Sequence, residues 1–526
     1  MRGQWSWTAA AWVGLAGSVT WGQQAAIYVP DQPDAMGGTV NPLSFSVSEG
    51  FFPTSTTAEK HKPQPANACE AEKCKQEKPK PKPPAPFKPL AYDHDFQYLE
   101  KPCTPRCEYF EHFKRMPVGC DWLVDFGGQY RHQFKNEDRR SLFAGVVSNP
   151  RAESFTLNRI RAYVNAEYQD WLRVFGEYTD ASDFHEDLPP LGIDVNRSDV
   201  LNAFADVRVW DGQQRDLWGR VGRQELLYGD QRLISPLDWA NARRTFEGAK
   251  GFTQGESWDM DAFWVRPVLT DDVRFDQADY SQWFSGAYLH YKGFENFTLS
   301  PYFLVLREHA GIPANRVGGG NTSSTVYTYG MQIKGSLDGW LWDIEGAMQA
   351  GNYGVNSITA GMCAVGLGRK VDADWTPTWW LWYDYASGDN RPGDGTIGTF
   401  NQLFPLAHKY YGFLDLVARQ NAQDLNAQLF LNPHEKVTLL FWQHFMWLAA
   451  EEDALYNAAG AASRLDATGA SGNAIGNELD MLAIFKVRPG VQFTLGYSHF
   501  WAGNFILNTG GQNNAYLAYS ELQIEF

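Results

Sequence analysis

The span 222–248 sets Arg223, Arg232, Arg243 and Arg244 among Glu225, Asp230, Asp238 and Asn241. A guanidinium stays charged at every accessible pH. Its five donors form a rigid fork that fits carboxylates and phosphates. Such forks interleaved with acids can brace one another, or they can throw a transverse field across a water-filled passage. A second polar span, 400–421, carries Asn401, His408, Lys409, Asp415, Arg419 and Asn421. Arg159, Arg161, Arg208 and Arg220 add guanidiniums on the chain before the first span. Read for chemistry, these groups suit binding or passage of an anionic polymer. Read plainly, each arginine–acid pair is a structural brace.

Covalent catalysis finds little to work with. There is no G-x-S-x-G, no H-E-x-x-H and no phosphate-binding glycine loop. His444 and His499 have strand placement but no partner constellation, so no catalytic residue is assigned and no enzyme activity is expected. Asp389, Asn390 and Asp394 sit among Gly388, Gly393 and Gly395, which reads as a capped turn rather than a calcium loop. No metal and no cofactor is expected. Cys69, Cys74, Cys103, Cys107 and Cys120 precede residue 121, and only Cys363 follows. Their spacings match no zinc or haem pattern. Local bridges such as Cys69–Cys74 or Cys103–Cys107 suit an oxidising compartment and leave one cysteine over.

The elements that must position these groups fall into three zones. Residues 1–22 have an early Arg, an apolar alanine-rich run and small residues at the end, the layout of a secretory signal peptide. Residues 23–120 form an arm rich in Lys and Pro, extended and solvated over 63–89 because such a composition buries no core. Within the arm, 90–120 suits a short helix or a packed strap, and a strap here could plug a pore. From 121 to 526 the chain alternates. Ile160, Ala162, Val164, Ala166 and Tyr168 oppose Arg159, Arg161, Asn165 and Glu167, and the final segment puts Tyr516, Ala518, Ser520, Leu522, Ile524 and Phe526 on one face. Successive strand residues point to opposite faces, so one face is apolar and the other polar or charged.

The chain has 526 residues, 44% of them hydrophobic, yet its mean hydropathy is −0.41. A bundle of membrane helices is thereby excluded. A set of soluble sandwiches would need linkers, and none appears after 121. Short turns near Gln169–Asp170, 337–339 and Pro489–Gly490 alternate with longer loops near 181–198, 269–281, 309–324, 387–410 and 449–476. That rhythm predicts an all-β, transmembrane antiparallel β-barrel of about 18 strands, apolar outside and polar within. Trp340, Trp342, Trp379, Trp380, Trp382, Tyr383, Tyr385, Trp442 and Trp447 are expected in the aromatic girdles at the membrane interfaces.

The two polar spans quoted above, GRQELLYGDQRLISPLDWANARRTFEG and FNQLFPLAHKYYGFLDLVARQN, resemble the alginate-export family of bacterial outer-membrane porins. The resemblance covers roughly 121–526 and implies a single-chain, 18-stranded barrel with an arginine-rich, acid-balanced pore for an anionic polysaccharide. Arg159, Arg161, Arg208, Arg220, Arg223, Glu225, Asp230, Arg232, Asp238, Asn241, Arg243 and Arg244 are then pore-lining candidates. Asn401, His408, Lys409, Asp415, Arg419 and Asn421 are candidates for a loop that narrows the pore. The expected setting is the outer membrane of a Gram-negative-type bacterium, with the arm in the periplasm and suited to contact with peptidoglycan. Residues 121–526 carry 24 Arg and eight Lys against 49 acids, and the whole chain has a net charge of −16, so no nucleic-acid partner is expected. The expected partners are membrane lipid and an anionic sugar or polysaccharide. A general diffusion porin is the main alternative, and an outer-membrane enzyme or wall-anchored structural barrel a more distant one.

Overall fold

The computed structural model describes residues 86–100, 104, 106, 108–139, 151–212, 215–309, 322–510 and 514–526. The signal-peptide zone, the arm before 86, and Cys69, Cys74, Cys103 and Cys107 lie outside them. Among the described residues, Cys120 and Cys363 are free thiols.

Eighteen strands close into one antiparallel barrel. They are β1 Trp122–Glu137, β2 Glu153–Tyr168, β3 Leu172–Phe184, β4 Asn196–Asp211, β5 Asp216–Gln224 and β6 Phe246–Thr253. There follow β7 Trp258–Leu269, β8 Gln282–Tyr291, β9 Phe297–Glu308, β10 Ser324–Leu337, β11 Trp340–Tyr353 and β12 Asn356–Lys370. The last six are β13 Thr378–Ala386, β14 Ala422–His434, β15 Val437–Leu448, β16 Ala474–Arg488, β17 Val491–Ala502 and β18 Asn514–Glu525. Each pairs with its neighbours in sequence, and β1 pairs with β18 from Gln129↔Glu525 to Glu137↔Leu517. Closure leaves no long free edge, which a hydrocarbon environment demands.

Alternation sets the faces. Ile160, Val164, Val174, Val221 and Trp264 are exposed outward, where lipid takes the place of water. Gln129, Arg131, Arg159, Arg161, Glu177 and Asp206 lie on the opposite face and are buried. Trp340 and Tyr383 point outward, in keeping with a girdle. Trp380, Trp382 and Trp442 correct that expectation. They share the inner face with Asp384 and His444 and are buried in the lumen, where Trp380 and Trp382 stack at 5.1 Å.

The two rims differ. One carries both barrel ends and the short connections 169–171, 254–257, 338–339, 435–436 and 489–490. The other carries the long connections 225–245, 270–281, 387–421 and 449–473. Two of these fold inward. Gly222 marks one departure point: its φ of +134° suits glycine, and a Cβ there would meet the Ala203 carbonyl.

At the short-turn rim, 86–100 and 108–115 enter the mouth as a strap with 3₁₀ turns at Ala91–Asp93, Gln97–Glu100 and Tyr109–Phe113. Tyr92 packs on Phe175 and Phe204, and its hydroxyl donates to the Glu225 carbonyl at 2.7 Å. Lys114 Nζ donates to the carbonyls of Phe126 and Phe526 and to the Tyr163 hydroxyl, tying strap, β1 and the chain end together. Burial pushes the Lys114 amine down to about 7, against the pull of Asp125 and Glu525. A free strap would hold that proton up to its ordinary value. Docking therefore strengthens between pH 7 and 10, by roughly 1.4 kcal/mol per pH unit at most. Protection factors of the amides in 109–118, corrected for the intrinsic rise of exchange with pH, should increase over that window, and Lys114→Met should flatten the response.

Candidate functional site: a two-loop plug on a charged inner wall

The inward loops 225–245 and 399–421 meet in the lumen. Ser235 N donates to the Phe404 carbonyl and Phe404 N to that of Leu233, both at 2.9 Å, while Leu406 N reaches Gln231 O at 2.9 Å. Ile234 and Phe404 form a parallel bridge. Side chains of both loops then fill the barrel. Leu237, Trp239, Tyr411, Phe413 and Leu414 pack with Trp380, Leu440 and Trp442 of the wall. Leu233, Ile234 and Phe404 pack with Phe284 and Leu306. Apolar burial of this kind, about 25 cal/mol per Å², gives the plug its main seat.

Charge fixes where it sits. On β1 and β2, Arg131 donates to the carbonyls of Asp238 (2.6 Å), Trp239 (2.8 Å) and Ala240 (2.7 Å). Arg159 donates to the carbonyls of Asp238 (3.0 Å) and Ala240 (2.9 Å) and to the Asp238 carboxylate (2.8 Å). Arg243 bonds Asp238 and Glu225, and Arg161 bonds Glu177 at 2.7 Å. Burial opposes the Asp238 carboxylate, but Arg243, Arg159 and Arg131 together outweigh it and hold it well below the usual carboxylate range. Asn241 Nδ2 donates to the carbonyls of Asn158, Ser182 and Asp194.

On the far wall the polarity reverses. Arg232 of the loop meets Asp343 at 3.0 Å and Glu345 at 2.9 Å on β11, and Asp230 meets Lys334 at 2.6 Å. Lys409 Nζ reaches the Asp230 carbonyl at 3.3 Å. Arg244 donates to the carbonyls of Ser235 (3.1 Å) and Pro405 (3.3 Å), joining the loops.

The second loop is seated similarly. His408 stacks between Trp239 and Phe413 at 4.3 and 4.8 Å and bonds Asp415 at 3.0 Å. Arg419 meets Asp384 at 2.6 Å. Asn401 exchanges backbone bonds with the Gln349 amide, and Asn421 Nδ2 holds the carbonyls of Ala450 and Ala454 in the neighbouring loop. Gly412 turns at φ +86° where a Cβ would strike the Glu478 carboxylate, which itself accepts from Leu414 N at 2.9 Å. Gly412→Ala should weaken this seat by about 1–3 kcal/mol, read as faster hydrogen exchange over 407–418.

Three arginines of the sequence reading lie elsewhere. Arg220 is on the inner face but pairs bidentately with Asp206 (2.6 and 2.8 Å) beneath the strap's Tyr92. Arg208 sits at the short-turn rim with Asp170 and Asp216. Arg223 shares the outward face of Val221 and Ala249 and braces the long-loop rim through Glu247 (2.7 Å) and Asp199 (3.2 Å). Conversely, Arg131, Lys334, Asp343, Glu345 and Asp384 hold the plug and were missed. Strand parity was the available signal, since Arg131 alternates with Gln129 and Gln133 on one face. Asp389 and Asp394 accept from the amides of Arg391 and Thr396, as turn caps do.

A closed 18-stranded barrel with an apolar outer face and charged inner wall defines an outer-membrane channel of the porin class. The chain belongs to the alginate export family, whose model matches residues 122–520. Among solved structures, it is similar to OpdO of Pseudomonas aeruginosa (13% identity, 77% of this chain and 97% of that one, TM-score 0.51). The outer membrane protein OpdK of the same organism gives 12% identity, 77% and 99% coverage and a TM-score of 0.51. At such identities the likeness concerns the fold alone. No curated protein matches the sequence.

Proposed function

We propose that this channel passes anionic sugars or an anionic polysaccharide without energy input of its own, and that the two-loop plug is its gate. The supporting observation is the set Arg131, Arg159 and Arg243 around Asp238. These guanidiniums hold one carboxylate and a row of backbone carbonyls. A polyuronate offers the same acceptors, a carboxylate flanked by neutral oxygens. With the loop withdrawn, the wall arginines would face such a chain. In this reading the arm lies in the periplasm, since both barrel ends share the short-turn rim. The arm up to residue 85 is then dispensable for assembly, and its deletion should leave heat-modifiable gel mobility unchanged.

The test is conductance in planar bilayers with an oligouronate as blocker. Arg159→Ala should weaken block about tenfold, the value of one charge-assisted bond, while Arg223→Ala should leave it unchanged. A strong cation preference indifferent to Arg159→Ala would sink the anionic-sugar reading. It would favour a general diffusion porin, which the carboxylate balance of these arginines also suits.

A further inference from the structure

The outer wall carries a feature that neither gate nor lumen uses. Arg266 on β7 and Arg307 on β9 point outward at the long-loop end of their strands, flanking Trp283 of β8 between them. Trp283 pairs directly with Arg307 in register. The Arg266 guanidinium lies over Trp283 at 3.6 Å and over Tyr280 at 4.5 Å. Trp264, one strand position below Arg266 on the same face, stacks on Trp283 at 4.3 Å and is 58% exposed.

Neither arginine has a carboxylate or carbonyl partner among the described residues. The Nη1 of Arg266 is shielded by its neighbours and bonds nothing. Glu247, its register partner on β6, gives its bonded oxygen to Arg223 at 2.7 and 2.9 Å. Glu308 follows Arg307 but faces inward, accepting from Ser324 at 2.7 Å. In the adjoining connection, Asp271 accepts from the amides of Val273 and Arg274, Asp276 from the Asn196 side chain, and Asp279 from Ser281 and Gln282, while Asp272 is exposed and pairs with neither arginine. Inner-wall arginines in this barrel are matched to acids. This pair is not, and it stands at the long-loop end of its strands.

We propose that Arg266, Arg307 and the Trp264–Trp283–Tyr280 aromatic surface form a docking site for the phosphorylated headgroup of an outer-leaflet glycolipid. The tryptophans occupy the interface, where an indole is apolar on its face and wet at its edge. Above them, two forks stand on adjacent-but-one strands, spaced to share one phosphate-bearing headgroup rather than to grip separate lipids. Stacking on Trp283 fixes Arg266 in advance, so less freedom is lost on binding. The acyl chains would then run down Met260, Ala262, Leu289, Leu299 and Val305 on the same faces.

The experiment is native mass spectrometry of the intact full-length barrel in detergent micelles, titrated with bisphosphorylated lipid A and with the same lipid stripped of phosphate. Folding of every variant is checked by heat-modifiable mobility. The wild type should hold the phosphorylated lipid at least about tenfold more tightly than Arg266→Gln/Arg307→Gln, each lost charge-assisted contact being worth a factor of ten or so. Both proteins should bind the stripped lipid alike. Inorganic phosphate at millimolar concentration should displace little, because the aromatic surface and chains supply the rest of the affinity. Equal retention of phosphorylated lipid by the folded double variant would overturn the site. Full displacement by inorganic phosphate would overturn the lipid as its occupant. A Trp283→Leu variant supplies a second check: it should lose affinity for both lipids, and unchanged binding would contradict the aromatic floor.

Discussion

Replacing Arg131 and Arg159 together by alanine is expected to open the barrel. The two side chains make six bonds to the turn 238–240, five to backbone carbonyls and one to the Asp238 carboxylate. Each such bond to a charged donor is worth roughly 1.5–3 kcal/mol when its acceptor is left bare. Water entering an opened lumen would repair part of that loss, so a net weakening of about 3–5 kcal/mol is reasonable. At about 1.4 kcal/mol per factor of ten, the closed-to-open ratio should fall by about two to four orders of magnitude. Single variants should do less than half as much each. The carbonyls of Asp238 and Ala240 accept from both arginines, so either one keeps them satisfied, and the double loss exceeds the sum. Single-channel recordings give open probability directly, and unboiled gel mobility shows that the barrel is intact. A folded double variant with the wild-type closed trace would show that the arginines do not hold the gate.

The plug was only partly legible in the sequence, for physical reasons. The barrel was legible because lipid imposes a strict period of two on every strand. The barrel has the eighteen strands that alternation predicts. The fifth, β5, ends at Gln224, two residues after Gly222 takes a φ of +134°. Trp380, Trp382 and Trp442 were misassigned to the girdle because WWLWYDY is aromatic on both faces. Only the parity of Asp384 separates the inner tryptophans from the outer ones. The burial of the strap left no periodic trace. Its contacts are specific rather than periodic: Tyr92 sits in an aromatic notch, Lys114 at the seam, and Arg115 between Asp125 and Glu167. Which arginine meets which partner could not be read either, because the two lie about a hundred residues apart, one on the inward loop and the other on the wall. Arg232 with Asp343 is one such pair, and Arg131 with the turn at 238 is another.

Removing Arg232 should release the same loop from its other side, and the pattern of rescue distinguishes the cause. Arg232 is buried beneath Tyr410 and Trp382, with its ring contacts at 4.7 and 5.2 Å, and it is held by Asp343 and Glu345. Gln332 bonds Asp343 at 2.9 Å and Tyr302 bonds Glu345 at 2.8 Å, but neither neutralises a charge. Arg232→Ala therefore strands two adjacent carboxylates under an aromatic roof, at a cost of about 3–5 kcal/mol. The lowest-energy response is for the loop to lift and let water in, seen as a gain in open probability comparable to that of the wall double variant. The desolvation of a buried pair nearly cancels its attraction, so the pair as a whole contributes little. The triple variant Arg232→Met/Asp343→Asn/Glu345→Gln keeps the shape and removes all three charges, and it should close again. Asp230 and Lys334, at 2.6 Å, stay in place as an internal control. A triple variant that remains open would mean that the attraction of Arg232 for its acids, rather than the cost of stranding them, holds this side of the plug.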